Sequence, residues 1–97
     1  MKSIFISFDQ AHKEEVIQVL DKNLIRGFTF WEGTQGRGTI DGEPHYGSHA
    51  WPSLNNSIMT IAEDDKVKKI MDALKKVDEI SPMLGLRVFV WNIEEMY

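Results

Sequence analysis

The chain has no cysteine in 97 residues. Disulfides, thiolate metal sites and a cysteine nucleophile are therefore excluded, a composition that suits a reducing compartment. It also lacks an excess of positive charge: 11 Lys+Arg stand against 15 Asp+Glu, a net charge of −4, with a pI near 5.3. Such a surface repels phosphate backbones, so nucleic acid is not an expected partner. No run of ~18 apolar residues occurs, and Met1 to Phe8 has neither a charged n-region nor a small-residue cleavage site, so no membrane insertion is expected and the predicted location is cytoplasmic. The length predicts a single domain over residues 1–97. Apolar residues make up 42%, an ordinary globular share. A chain this short buries only roughly 60 to 65% of its unfolded surface, which makes subunit association a natural way to hide more.

Ile4-Phe5-Ile6-Ser7-Phe8 is short, aromatic and β-branched, and reads as a strand ending at Asp9. Asp9 then caps a helix from Gln10 to Leu24, in which Val16, Val19, Leu20 and Leu24 fall at helical spacing. Its predicted stop is near Gly27. Phe28 to Glu32 and Ser57 to Ala62 carry strong β formers and make two further strands. Asp64 or Asp65 caps a second helix, where Val67, Ile70, Met71, Leu74 and Val77 repeat at i, i+3, i+4, i+7 and Lys68, Lys69, Lys75 and Lys76 stay in water. Ser81-Pro82-Met83-Leu84-Gly85 breaks it, and Leu86 to Ile93 is the last strand. The order βαββαβ predicts an α+β, ferredoxin-like plan: a four-stranded antiparallel sheet with two helices on one face. Phe5, Thr29, Trp31, Phe89 and Trp91 are candidates for the face the helices leave uncovered, and an oligomer would hide them.

Between the second and third strands, residues 33–56 show neither helical nor strand period, and a segment of that length inside a compact domain is usually functional or disordered. Five of the seven glycines lie here, interleaved with Arg37, His45, Tyr46, His49 and Trp51. Side chains of this kind suit contact with a ligand or partner; a plain hairpin extension is the alternative. In Gln35-Gly36-Arg37-Gly38-Thr39, closely spaced glycines let backbone N–H groups converge on an anion, and Arg37 offers a planar fork for phosphate or carboxylate. A simple turn would read the same way. His45 and His49, preceded by Asp41 and Glu43, are the right residue types for Zn or Cu, or else pack and hydrogen-bond within the loop. Trp51 to Asn55 is expected to anchor the returning arm, with Trp51 packed on the body and Asn55 turning the chain into the third strand. Ser48, Ser53 and Ser57 have no nucleophile elbow and no paired-carboxylate pattern around them, so no enzyme activity is expected.

Over its whole length the chain resembles the PII-like signalling proteins. Ile25-Arg26-Gly27-Phe28-Thr29 is similar to the family string entering the second strand, and Glu32 follows at the family spacing. Gly36-Arg37 looks like the Gly-Arg pair at the base of the family's T-loop, and Arg87-Val88-Phe89-Val90 is similar to the string that opens the last strand. The family's Thr-Gly-x-x-Gly-Asp-Gly phosphate loop is absent, and Ser81 to Gly85 stand in its place. The resemblance implies a homotrimer that binds a small anionic ligand, such as a nucleotide, in clefts between subunits, and an unidentified target protein through loop 33–56. Carried onto this sequence, Thr29, Gly36 and Arg37 would line one side of a cleft and Arg87 would meet phosphate from the other; from the residue types of the loop itself, Gly38 would add close backbone approach and Tyr46 and Trp51 would contact the partner. The related divalent-cation tolerance proteins imply the alternative, a metal-binding trimer that uses His45 and His49 for Zn or Cu.

Overall fold

The computed structural model describes residues 1–37 and 43–97. Its elements are β1 (Lys2–Asp9), a 3-10 turn (Gln10–His12), α1 (Lys13–Lys22), β2 (Phe28–Thr34), β3 (Asn55–Ala62), α2 (Asp64–Ile80), a second 3-10 turn (Pro82–Leu84) and β4 (Arg87–Asn92). The strands form one antiparallel sheet in the order β2-β3-β1-β4. The predicted βαββαβ architecture is the one observed.

Alternation along β1 decides where the core sits. Ile4, Ile6 and Phe8 are fully buried on the helix side, with Ile58 of β3, Val16 and Leu20 of α1, and Ile70 and Leu74 of α2. Each such side chain contributes about 1.5–3 kcal/mol by leaving water. The other parity of the strands builds the second face. Thr29, Met59, Phe5 and Phe89 lie side by side across the sheet, and the next row is Trp31, Ser57, Ser7 and Arg87. Trp91 pairs with Ser3. The five residues expected on the uncovered face therefore share it. Trp31 remains 44% exposed, Phe89 55% and Trp91 46%, although the rings of Phe5 and Trp31 stand 6.4 Å apart.

Local chemistry moved several boundaries. Asp9 does cap, with Oδ1 accepting from the Ala11 N–H at 2.8 Å, but the cap serves the 3-10 turn and α1 begins at Lys13. The helix stops before Gly27. Leu24 adopts the left-handed conformation at φ 59°, and the Ile25 N–H reaches back to the Leu20 carbonyl at 2.9 Å. This is a Schellman closure in which leucine stands where glycine is usual. For α2 the cap position is Glu63, and neither Asp64 nor Asp65 serves as its cap. Lysines 68, 69, 75 and 76 do hold the wet side. The helix break at Ser81 to Gly85 is a 3-10 turn followed by Gly85 at φ 78°.

The segment 33–56 is more ordered at its root than the sequence predicts. β2 runs on to Thr34 through a bulge after Trp31, where Gly33 takes a φ of 71° that a side chain would resist. β3 begins at Asn55. Between them Gly36 and His45 form an antiparallel bridge, with backbone hydrogen bonds of 2.9 and 2.7 Å. On the body side of this bridge, Gln35 Nε2 donates to the Tyr46 carbonyl at 2.9 Å. Ser48 and Trp51 close a four-residue turn by a backbone bond of 2.9 Å. Trp51 is exposed in that turn rather than packed on the body.

Candidate functional site at the base of the loop

Arg37 leaves the loop root just after the Gly36 bridge, and Arg87 opens β4 on the uncovered face, opposite Ser7 of β1. The sheet brings both to one cavity of about 340 Å³, which Phe5, Ser7, Gly36, Asn55 and Phe89 complete. The phenylalanines supply apolar walls. The arginines, serine and asparagine supply donors, a set that matches an oxyanion bearing a flat or apolar group. Among the described residues neither arginine has a salt-bridge partner, and Arg87 donates from Nη1 to the Leu86 carbonyl at 3.1 Å.

Behind the cavity lies a buried polar group that joins three segments. Asp9 and Asn55 face each other across β1 and β3. His45, brought in by the loop bridge, hydrogen-bonds through Nδ1 to Asn55 Oδ1, and the same nitrogen is 3.6 Å from Asp9 Oδ2. That separation is too long for a hydrogen bond. All three are 5% exposed or less. Asp9 Oδ2 has no hydrogen-bond partner among the described residues. A Cβ on Gly36 would stand 2.9 Å from Asn55 Nδ2, so glycine is needed for the approach.

The other predicted site residues fall elsewhere. Thr29 lines a different hollow of about 550 Å³ at the start of β2, with Leu24, Phe28, Glu63, Lys66 and Met96, so one chain does not place it beside Arg37. Arg37 and Arg87, expected to meet a ligand from two sides of a cleft, both line the cavity at the loop base. Gly38 and the acidic Asp41 lie outside the described residues. Tyr46 is half-buried, and Trp51 and His49 are exposed. The structure does not bring His45 and His49 together with a third ligand among the described residues. The first is buried with Nδ1 committed to Asn55, and the second is exposed. Sequence reasoning passed over Ser7, gave Asp9 only a cap and gave Asn55 only a turn. Their role depends on strand register, for which the single sequence holds no direct signal.

The elements define a ferredoxin-like domain with an extended loop between β2 and β3 and a cavity at the loop's base. The sequence profile of the family described as nitrogen regulatory protein P-II matches residues 1–97, and the chain belongs to that family. No curated protein matches it significantly. Among solved structures it is similar to CPII, a nitrogen regulatory PII-like protein from Thiomonas intermedia, bound to ADP, AMP and bicarbonate, with 21% identity, 95% of this chain and 84% of that chain covered, and a TM-score of 0.76. The apo form of CPII matches at 20% identity and a TM-score of 0.74, covering 95% of this chain and 87% of that one. A PII-like signalling protein from Thermus thermophilus matches at 19% identity and a TM-score of 0.68, with 95% and 85% covered. At these identities the likeness shows the fold. No helix among the described residues is long and apolar enough to cross a membrane.

Proposed function

We propose that the chain is a trimeric PII-like regulator that binds a nucleotide between subunits and presents residues 33–56 to a target protein. The observation that carries this reading is the convergence of Arg37 and Arg87, distant in sequence, on one cavity floored by Gly36. Two guanidinium groups beside apolar walls suit a phosphate attached to a flat base. ADP and AMP, found with CPII, are the ligands to test first, with bicarbonate as the small oxyanion. Ser81 to Gly85 form a 3-10 turn with a single glycine, so phosphate is held by arginine rather than by a nest of backbone N–H groups, and the affinity is micromolar or weaker.

Association is supported by the uncovered sheet face, where Trp31, Phe89 and Trp91 stay exposed and Phe5 pairs with Phe89, and in this reading the assembly is the trimer of the family. Thr29 does not share the arginine cavity within one chain, so in this reading a neighbouring subunit supplies it to the cleft. Tyr46 and Trp51 then lie on the arm that meets the target. Isothermal titration with ADP, AMP, ATP and bicarbonate tests the reading. Absence of heat with all four, together with unchanged target capture by Arg37→Ala, would overturn it.

A further inference from the structure

Asn55 faces two ways. Its Oδ1 meets His45 Nδ1, while its Nδ2 lies against Gly36 at the wall of the cavity that Arg37 and Arg87 share. An amide fixed with its oxygen toward the histidine has to turn both N–H donors the other way. The orientation is decided one residue farther back. Asp9 Oδ2 stands 3.6 Å from His45 Nδ1, and a carboxylate oxygen beside that nitrogen favours the tautomer that carries its proton there. A protonated Nδ1 needs an acceptor, which Asn55 Oδ1 provides. Burial of all three to 5% exposure or less keeps water from offering a substitute.

We propose that Asp9, His45 and Asn55 form a positioning relay whose output is an Asn55 N–H donor aimed at an oxyanion held between Arg37 and Arg87. The relay rests on the anion-binding reading above and adds to it a third, neutral donor and a physical link to the loop. That link is the Gly36–His45 bridge: the arm that carries His45 fixes the amide, and the amide fixes the anion. By linkage, whatever holds the arm in this position tightens anion binding by the same factor by which the anion holds the arm.

The test combines calorimetry with ¹⁵N NMR of the histidine rings, on full-length protein titrated with ADP and with bicarbonate. The wild type should show His45 protonated at Nδ1. Asp9→Asn keeps the side-chain oxygen that caps residues 10–12; it should move the ring toward the Nε2-protonated tautomer and weaken ADP binding roughly tenfold. Asn55→Asp replaces the donor with an acceptor and should weaken binding more. Arg37→Ala should weaken binding while leaving the His45 ring shifts in place. If Asp9→Asn and Asn55→Asp bind as the wild type does while Arg37→Ala does not, the relay is wrong and the regulator reading stands. A wild-type ring protonated at Nε2, or weaker binding by Asp9→Asn without a change of tautomer, also refutes the relay. A wild type that binds neither ADP nor bicarbonate removes both proposals. Should Asn55→Asp fail to fold, Asp9→Asn and the wild-type ring shifts still decide.

Discussion

Replacing Gly36 by alanine isolates the closest approach in the candidate site. The new Cβ would stand 2.9 Å from Asn55 Nδ2, and the gap must open to beyond 3.4 Å for ordinary contact. Neither side yields easily. The Gly36 backbone is pinned to His45 by two hydrogen bonds of 2.9 and 2.7 Å, and the Asn55 amide is pinned to the same residue's ring. Relief requires breaking one of these or forcing strain into the bridge, which places the cost in the overpacking range of about 1–3 kcal/mol. In a chain of this size each kcal/mol moves the melting temperature by roughly 4–8 °C. The control is Gly27→Ala, because a Cβ there meets nothing within 4 Å and its backbone lies outside the left-handed region. That variant should be neutral or more stable by about 0.4–1 kcal/mol, through the lower entropy of its unfolded state. Both are compared by circular dichroism melting at one fixed protein concentration, since an oligomer melts in a concentration-dependent way. ADP titration is run alongside. A Gly36→Ala protein that melts with Gly27→Ala and binds ADP as the wild type does would refute the argument.

Light scattering should give three times the 11.2 kDa chain mass, and Phe89→Asp, which charges a residue 55% exposed on the uncovered face, should lower it; a wild-type mass of one subunit would refute the trimer. Arg37→Ala and Arg87→Ala should each weaken ADP binding tenfold or more, because each removes a charged hydrogen-bond donor worth about 1.5–3 kcal/mol, as read by calorimetry. Leu24→Gly should raise the stability measured by urea unfolding by about 1 kcal/mol, because an exposed leucine at φ 59° carries the left-handed penalty. Zn²⁺ titrations of the wild type and of a His45→Ala/His49→Ala variant should superimpose, since His45 is buried, His49 is exposed, and no three ligand-type side chains gather among the described residues.

Much of the fold could be read locally. β-Branched and aromatic runs set the strands and the i, i+3, i+4 repeat set α2, because burial on one face imposes those periods on the sequence itself. The five residues assigned to the uncovered face share it because parity along a strand is also local. Where local signals failed, a competing local interaction won: the Asp9 cap produced a 3-10 turn before α1, and Leu24 closed the helix that Gly27 was expected to end. In the site, residue type marked Gly36 and Arg37 as a glycine approach and a fork suited to an anion, and the family resemblance added Arg87.

Proximity was another matter. That Arg37 and Arg87 share a cavity, that Thr29 lies outside it, and that Asp9 and Asn55 lie opposite each other with His45 over both follow from the register of β1, β3 and β4 and from the bridge at Gly36. Register is fixed by pairing between strands far apart in sequence, and a shift of one residue turns every side chain to the opposite face. The sequence by itself therefore determined which elements form and which residue types can meet an anion. Only tertiary pairing decided which of them meet, and it set one of the two loop histidines in a buried hydrogen bond and left the other exposed on the loop.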